Sequence, residues 1–138
     1  MSSFSLEEAV THLTQEGSRF ALKKAMVNGS SLPVFANAPH SLTDLLQQST
    51  AEFADRELLV FEDERLHYRE FSERVARFAQ VLREDFGICR GDRVAIAMRN
   101  YPEYVITLLA AASLGAVAVH LNAWWTAHEL AYGFEDSG

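Results

Sequence analysis

His120, Trp124 and Trp125 are the residues whose types and spacing best support chemistry in this chain. His120 closes an apolar run, where an imidazole either lines a pocket or sits satisfied in the core, the commoner fate. The adjacent indoles fall in the loop that follows. Paired rings of this kind can border a channel for a greasy ligand, or simply cover the end of a sheet, the plainer role. Other clusters carry less. Glu62, Asp63 and Glu64 have the makings of acid–base carboxylates, but at the tip of a hairpin nothing would desolvate them and raise a pKa. Cys89 has no histidine near it in sequence and reads as a small packed side chain rather than a nucleophile. His128-Glu129 begins like a zinc-protease helix, yet Tyr132 stands where the second histidine belongs, so no metal site is expected.

The elements that position these residues follow from periodicity and punctuation. Ser5-Leu-Glu-Glu8 is a capping box that opens a short helix to about Glu16. Phe20–Val27 and Ser31–Phe35 flank Asn28-Gly29, a strong hairpin signal. With Ser30 the pair also spells a glycosylation sequon, read here as a turn. Ala38-Pro39 marks a break, which divides the chain into an amino-terminal helix and hairpin arm (1–39) and a main domain (40–138). Ser41 caps a helix bearing Leu42, Leu45, Leu46 and Phe53 on one face. A strand over Glu57–Glu62 turns at Asp63-Glu64-Arg65 and returns through Leu66–Tyr68.

Arg69–Phe86 is the clearest helix, with Phe71, Val75, Phe78, Ala79, Leu82 and Phe86 as its buried stripe and Gly87 as its stop. Val94–Met98 is a continuous apolar run, the pattern of a strand covered on both faces. Asn100 can cap the next helix, with Pro102 in its first turn and Glu103 at its third position. Gly115 ends that helix and Ala116–Leu121 returns as a strand. The expectation is a parallel βαβ unit with a right-handed crossover. Thr126 with Glu129 forms one more capping box, opening a last helix from Ala127.

At 138 residues, 49% of them apolar, the chain has room for one domain with a real core. Nineteen acidic residues against twelve basic ones give a net charge of −7, which argues against a nucleic-acid partner. A single cysteine excludes an internal disulfide and fits a reducing compartment, and no leader is evident at the start. A cytoplasmic location is therefore expected. Tyr104–Val119 is nearly all apolar, but it falls short of the roughly 20 residues a bilayer requires. Gly115 also divides it, so it reads as buried core rather than a membrane span. Neither a Gly-x-Gly-x-x-Gly turn nor a Gly-x-x-x-x-Gly-Lys phosphate loop is present.

Several phrases occur in a specific order and spacing: Leu42-Thr-Asp-Leu-Leu46, Phe61-Glu-Asp-Glu-Arg-Leu-His-Tyr68, Gly91-Asp-Arg-Val-Ala-Ile-Ala97, Asn100-Tyr-Pro-Glu103 and Leu114-Gly-Ala-Val-Ala-Val-His-Leu-Asn122. With Trp124-Trp125, Glu129-Leu130 and Glu135-Asp-Ser-Gly138 they cover nearly everything after Pro39. Together they resemble the amino-terminal part of an AMP-dependent (adenylate-forming) acyl-CoA synthetase, or fatty-acid–CoA ligase. The arm before Pro39 is a weaker match to the leading arm of certain bacterial members.

The resemblance implies an α/β fold: a partial amino-terminal subdomain of the adenylate-forming enzyme, with a parallel βαβ unit and a β-hairpin. It implies a ligase in which Mg-ATP activates a carboxylic acid as an acyl-adenylate and coenzyme A then takes the acyl group. ATP, Mg²⁺ and coenzyme A belong to the full-length enzyme, and none is expected on this stretch alone. The family's phosphate loop, aromatic-Thr-Glu motif, ribose-binding Asp, hinge and late Lys map onto no position here. No catalytic or cofactor-binding residue is therefore carried over, and the remainder of the synthetase fold is the expected partner. Two departures stand out: His120 replaces the usual Pro, and His67 an often-found Thr. The first bears on the loop that delivers Asn122 and the tryptophans, the second on the cap of the following helix. The alternative is a non-catalytic interaction or scaffold domain that keeps the fold.

Overall fold

A computed structural model describes residues 5–138. The chain divides into two compact units, the first ending at His40 and the second running Ser41–Gly138.

In the first unit, helix α1 (Leu6–Thr14) opens on the expected capping box. The Ser5 hydroxyl accepts the Glu8 N–H, and the Glu8 carboxylate accepts the Ser5 N–H. Strands β1 (Leu22–Val27) and β2 (Ser30–Phe35) form an antiparallel hairpin. Its two-residue turn places Asn28 at φ 48° and Gly29 at φ 82°, the left-handed pair that matches the twist of the strands.

The second unit begins with α2 (Leu42–Phe53), capped by the Ser41 hydroxyl on the Asp44 N–H at 3.0 Å. Strands β3 (Glu57–Phe61) and β4 (Glu64–His67) pair antiparallel around Glu62-Asp63. The turn thus lies one residue earlier than expected, because Glu62 itself takes the left-handed conformation at φ 50°. Glu64 then begins β4 and meets the Arg74 guanidinium at 2.8 Å, so it is no longer a free turn carboxylate.

Helix α3 (Tyr68–Glu84) buries Phe71, Val75, Ala79 and Leu82, as its periodicity requires. Phe86 departs from the expected stripe. The helix ends at Glu84, Gly87 reverses the chain at φ 67°, and the Phe86 ring is left 70% exposed. The absent threonine at position 67 is offset from the other side of the cap, since the Glu70 carboxylate accepts the His67 N–H at 3.2 Å.

Strands β5 (Arg93–Ile96) and β6 (Val117–His120) are parallel, in register Arg93↔Val117 to Ile96↔His120, and α4 (Pro102–Ser113) connects them. The expected two-sided burial of β5 is not found. Ile96 is 1% exposed, but Ala95 and Arg93 are open: α4 lies against one face, and on the other the Arg93 guanidinium meets the Gly138 carbonyl at 3.4 Å without Ala95 being covered. Tyr101, not Asn100, precedes the first turn of α4, and no side chain caps it. Pro102 at the first position needs no N–H partner there, which lessens the demand for a cap. The core joins Leu66, Phe71, Val75, Ala79 and Leu82 to Ile106, Ala110 and Ala111. The two alanines are fully buried and let α3 and α4 approach closely. Helix α5 (Ala127–Ser137) closes the unit on the capping box of Thr126 and Glu129. Among the described residues no helix is long and apolar enough to cross a membrane.

Candidate functional site

Parallel strands point their carboxyl ends the same way, and loops leaving those ends are where open α/β sheets hold ligands. Here β5 runs into Met98, Arg99 and Asn100, and β6 into Leu121, Asn122, Ala123 and Trp124. With Tyr104 from α4 these residues line a cleft of about 340 Å³. The Leu121 N–H donates to the Ile96 carbonyl at 3.0 Å, which carries the strand pairing up to the cleft floor.

The loop after β6 is a tight turn built on Asn122. Its side-chain oxygen accepts the Trp124 N–H at 2.9 Å, and its backbone carbonyl accepts the Trp125 N–H at 3.1 Å. The two indoles then part. Trp124 is 72% exposed and lies beneath the Arg99 guanidinium, 3.9 Å from carbon to ring centroid. Trp125 turns the other way and packs against Gly133 of α5. Of the two rings, Trp124 lines the cleft and Trp125 does not, lying instead against α5.

His120 is exposed rather than packed in the core. Its Nδ1 lies 2.6 Å from the Tyr104 hydroxyl, across from the first turns of α4. Strand β6 ends at His120, so its ring leaves the sheet instead of entering it. The remaining early candidates lie elsewhere. Glu62 and Asp63 are solvated at the β3–β4 turn. Cys89 is exposed, against expectation, because it sits in the Gly87–Gly91 turn. There its N–H and its thiol both meet Asp92 Oδ2, at 2.7 and 3.1 Å. The hydrogen bond to Asp92, and then that residue's charge, push the thiol pKa up. The Asp92 carboxyl is held low, chiefly by the Cys89 N–H. A thiol kept protonated is a poor nucleophile. No group of three or more His, Cys, Asp or Glu among the described residues is placed to hold a metal ion.

Sequence reasoning passed over Arg99, Asn100 and Tyr104. Their signal was positional, since Arg99 and Asn100 follow the end of a parallel strand and Tyr104 lies in the first turn of the next helix. Arg99 and the Asn100 and Asn122 amides give the cleft donors for a carboxylate or phosphate oxygen, and the Trp124 ring gives it an apolar wall.

An α/β unit with a cleft at this edge is shared by many enzymes, and comparison with known proteins identifies which of them this one follows. Residues 46–138 match the family of AMP-binding enzymes, and the chain belongs to that family. It is 36% identical over 98 residues to a long-chain-fatty-acid–CoA ligase of Escherichia coli, covering 71% of this chain and 18% of that protein. A medium/long-chain-fatty-acid–CoA ligase of Mycobacterium tuberculosis is 37% identical over 86 residues, 62% of this chain and 14% of its own length. Among solved structures, the N-terminal subdomain of Klebsiella oxytoca NpsA superposes with a TM-score of 0.65 at 29% identity, over 69% of this chain and 25% of that one. A Rhodopseudomonas palustris protein described as a long-chain-fatty-acid CoA ligase superposes with a TM-score of 0.66 at 33% identity, covering 71% of this chain and 25% of the other. The chain thus spans about a fifth of the length of the curated relatives it matches.

Proposed function

We propose that this chain supplies the amino-terminal part of an acyl-CoA synthetase. That enzyme uses Mg-ATP to convert a carboxylic acid, most simply a fatty acid, into an acyl-adenylate and then a coenzyme A thioester. The observation that carries this reading is the 98-residue likeness to long-chain-fatty-acid–CoA ligases, beside the family match over residues 46–138, which takes in both parallel strands and their loops. The K. oxytoca subdomain that shares the fold has been solved with anthranilyl-AMSN. That supports an acyl-adenylate site for the assembled enzyme.

In this reading the cleft is one wall of a larger site. Arg99 and the asparagine amides meet an anionic group of a ligand, Trp124 meets an apolar part, and the Tyr104–His120 pair braces the wall. ATP, Mg²⁺ and coenzyme A are held chiefly by the remainder of the synthetase fold, and the 138-residue chain alone is inactive. The work is done in the cytoplasm.

The reading frame immediately downstream of Gly138 tests the proposal. A Ser/Thr/Gly/Lys-rich phosphate loop there supports it. A stop codon in that place would instead favour the non-catalytic interaction domain.

A further inference from the structure

Gly133 lies inside α5, where a glycine weakens the helix and calls for a packing reason. It has no left-handed φ to explain it. The reason lies beside it. A Cβ at this position would stand 2.9 Å from Trp125 Cζ3 and 3.0 Å from Leu121 Cδ2, closer than side chains tolerate. The Trp125 indole thus occupies the space of a missing methyl group, and Gly133 is buried beneath it.

This seat bears on the cleft. Trp125 shares one turn with Trp124, and both backbone N–H groups are held by Asn122. Leu121, the second residue against Gly133, is both a cleft-lining residue and the one bonded to the end of β5. We propose that Gly133 is a positioning residue: its absent side chain seats Trp125, and through the Asn122 turn that seat holds Trp124 under Arg99 at the cleft. The seat stands on packing alone, whereas its consequence for a ligand rests on the function proposed above.

The chain holds two tryptophans, so 5-fluorotryptophan labelling gives two ¹⁹F resonances, which Trp124→Phe and Trp125→Phe assign. Gly133→Ala should shift both resonances and raise acrylamide access to Trp124, with the far-UV circular dichroism retained. A Trp125→Leu background removes the indole contact and leaves only the flexible Leu121 methyl to give way, so adding Gly133→Ala should leave the Trp124 resonance nearly in place. That second comparison also serves if Gly133→Ala alone fails to fold. A shift confined to Trp125, or a Trp124 shift of the same size in the Trp125→Leu background, would overturn the proposal. In a longer form that makes thioesters, Gly133→Ala should raise KM several-fold with kcat little changed. Displacement of Trp124 with KM unchanged would leave the seat intact and count against the cleft as a ligand wall.

Discussion

The Tyr104 hydroxyl and His120 Nδ1 lie 2.6 Å apart, with ring centroids 5.5 Å apart, and so join the first turns of α4 to the end of β6. The link closes the βαβ unit at the carboxyl end of its strands, where the last pair of the ladder is Ile96↔His120. Removing one partner of an exposed hydrogen bond costs about 0.5–1 kcal/mol, since water replaces it. Tyr104→Phe should therefore lower stability by that small amount in chemical denaturation, and His120→Phe, which keeps the ring contact, by a similar one. A loss additive in the double variant would show that the two side chains do not act as a pair.

Gly115 sits at φ 73° between α4 and β6, with Arg90 Cγ 3.1 Å from where a Cβ would stand. A β-branched residue there meets both backbone strain and crowding. Gly115→Val should cost about 2 kcal/mol or more. An unchanged thermal melt would mean that the helix-to-strand joint does not need its glycine.

Three helix caps should make the fold acid-sensitive. The Glu8, Glu70 and Glu129 carboxyls are each held below the ordinary 4.5, chiefly by the N–H of Ser5, His67 and Thr126 respectively. A lowered folded-state pKa contributes stability that is complete above the unfolded value and is lost as the pH falls through the folded one. Glu129→Ala should thus lower Tm near neutral pH, and its difference from the parent chain should narrow below about pH 4. A difference constant down to about pH 3 would rule out the carboxylate as the source.

Alone, the chain should self-associate. Among the described residues the β5–β6 pair has two open edges and one thinly covered face. Beside α2, Leu42 and Leu45 are each about half exposed over an apolar groove that also touches Leu58, Val105 and Leu109. Uncovered edges and patches of this kind promote aggregation. Size-exclusion chromatography with light scattering should show oligomers. A sharp monomer peak with a cooperative melt would instead mark a self-sufficient domain.

What could be read directly from sequence was what neighbouring residues decide. Asn28-Gly29 sets a turn by its own left-handed preference, Thr126 with Glu129 closes its own cap, and Gly115 marks its own joint. Misreadings arose where distant parts decide. Phe86 continues the α3 spacing but lies beyond the residue at which the helix ends. Asn100 is a good cap by type, yet Tyr101 takes the place. Val94–Met98 is apolar enough for two covers but receives one among the described residues. The cleft was half legible: Trp124 stood out by type, as did His120, which is not in the lining but bonds Tyr104, whereas Arg99 and Tyr104 gain meaning only from their place after β5. The place of the Trp125 indole depends on Gly133, eight residues further on, and no local pattern signals it.

ATP–pyrophosphate exchange with fatty acids tests the central claim most directly. Adenylation needs donors around the triphosphate, a carboxylate to hold Mg²⁺, and a cation for the charge developing at the α-phosphate. The cleft offers one guanidinium, two amides and no carboxylate. The purified 138-residue chain should therefore stay at background, and addition of the carboxy-terminal portion of the synthetase should raise exchange above it. Exchange above background by the chain alone, or none once that portion is joined in a folded protein, would contradict the account.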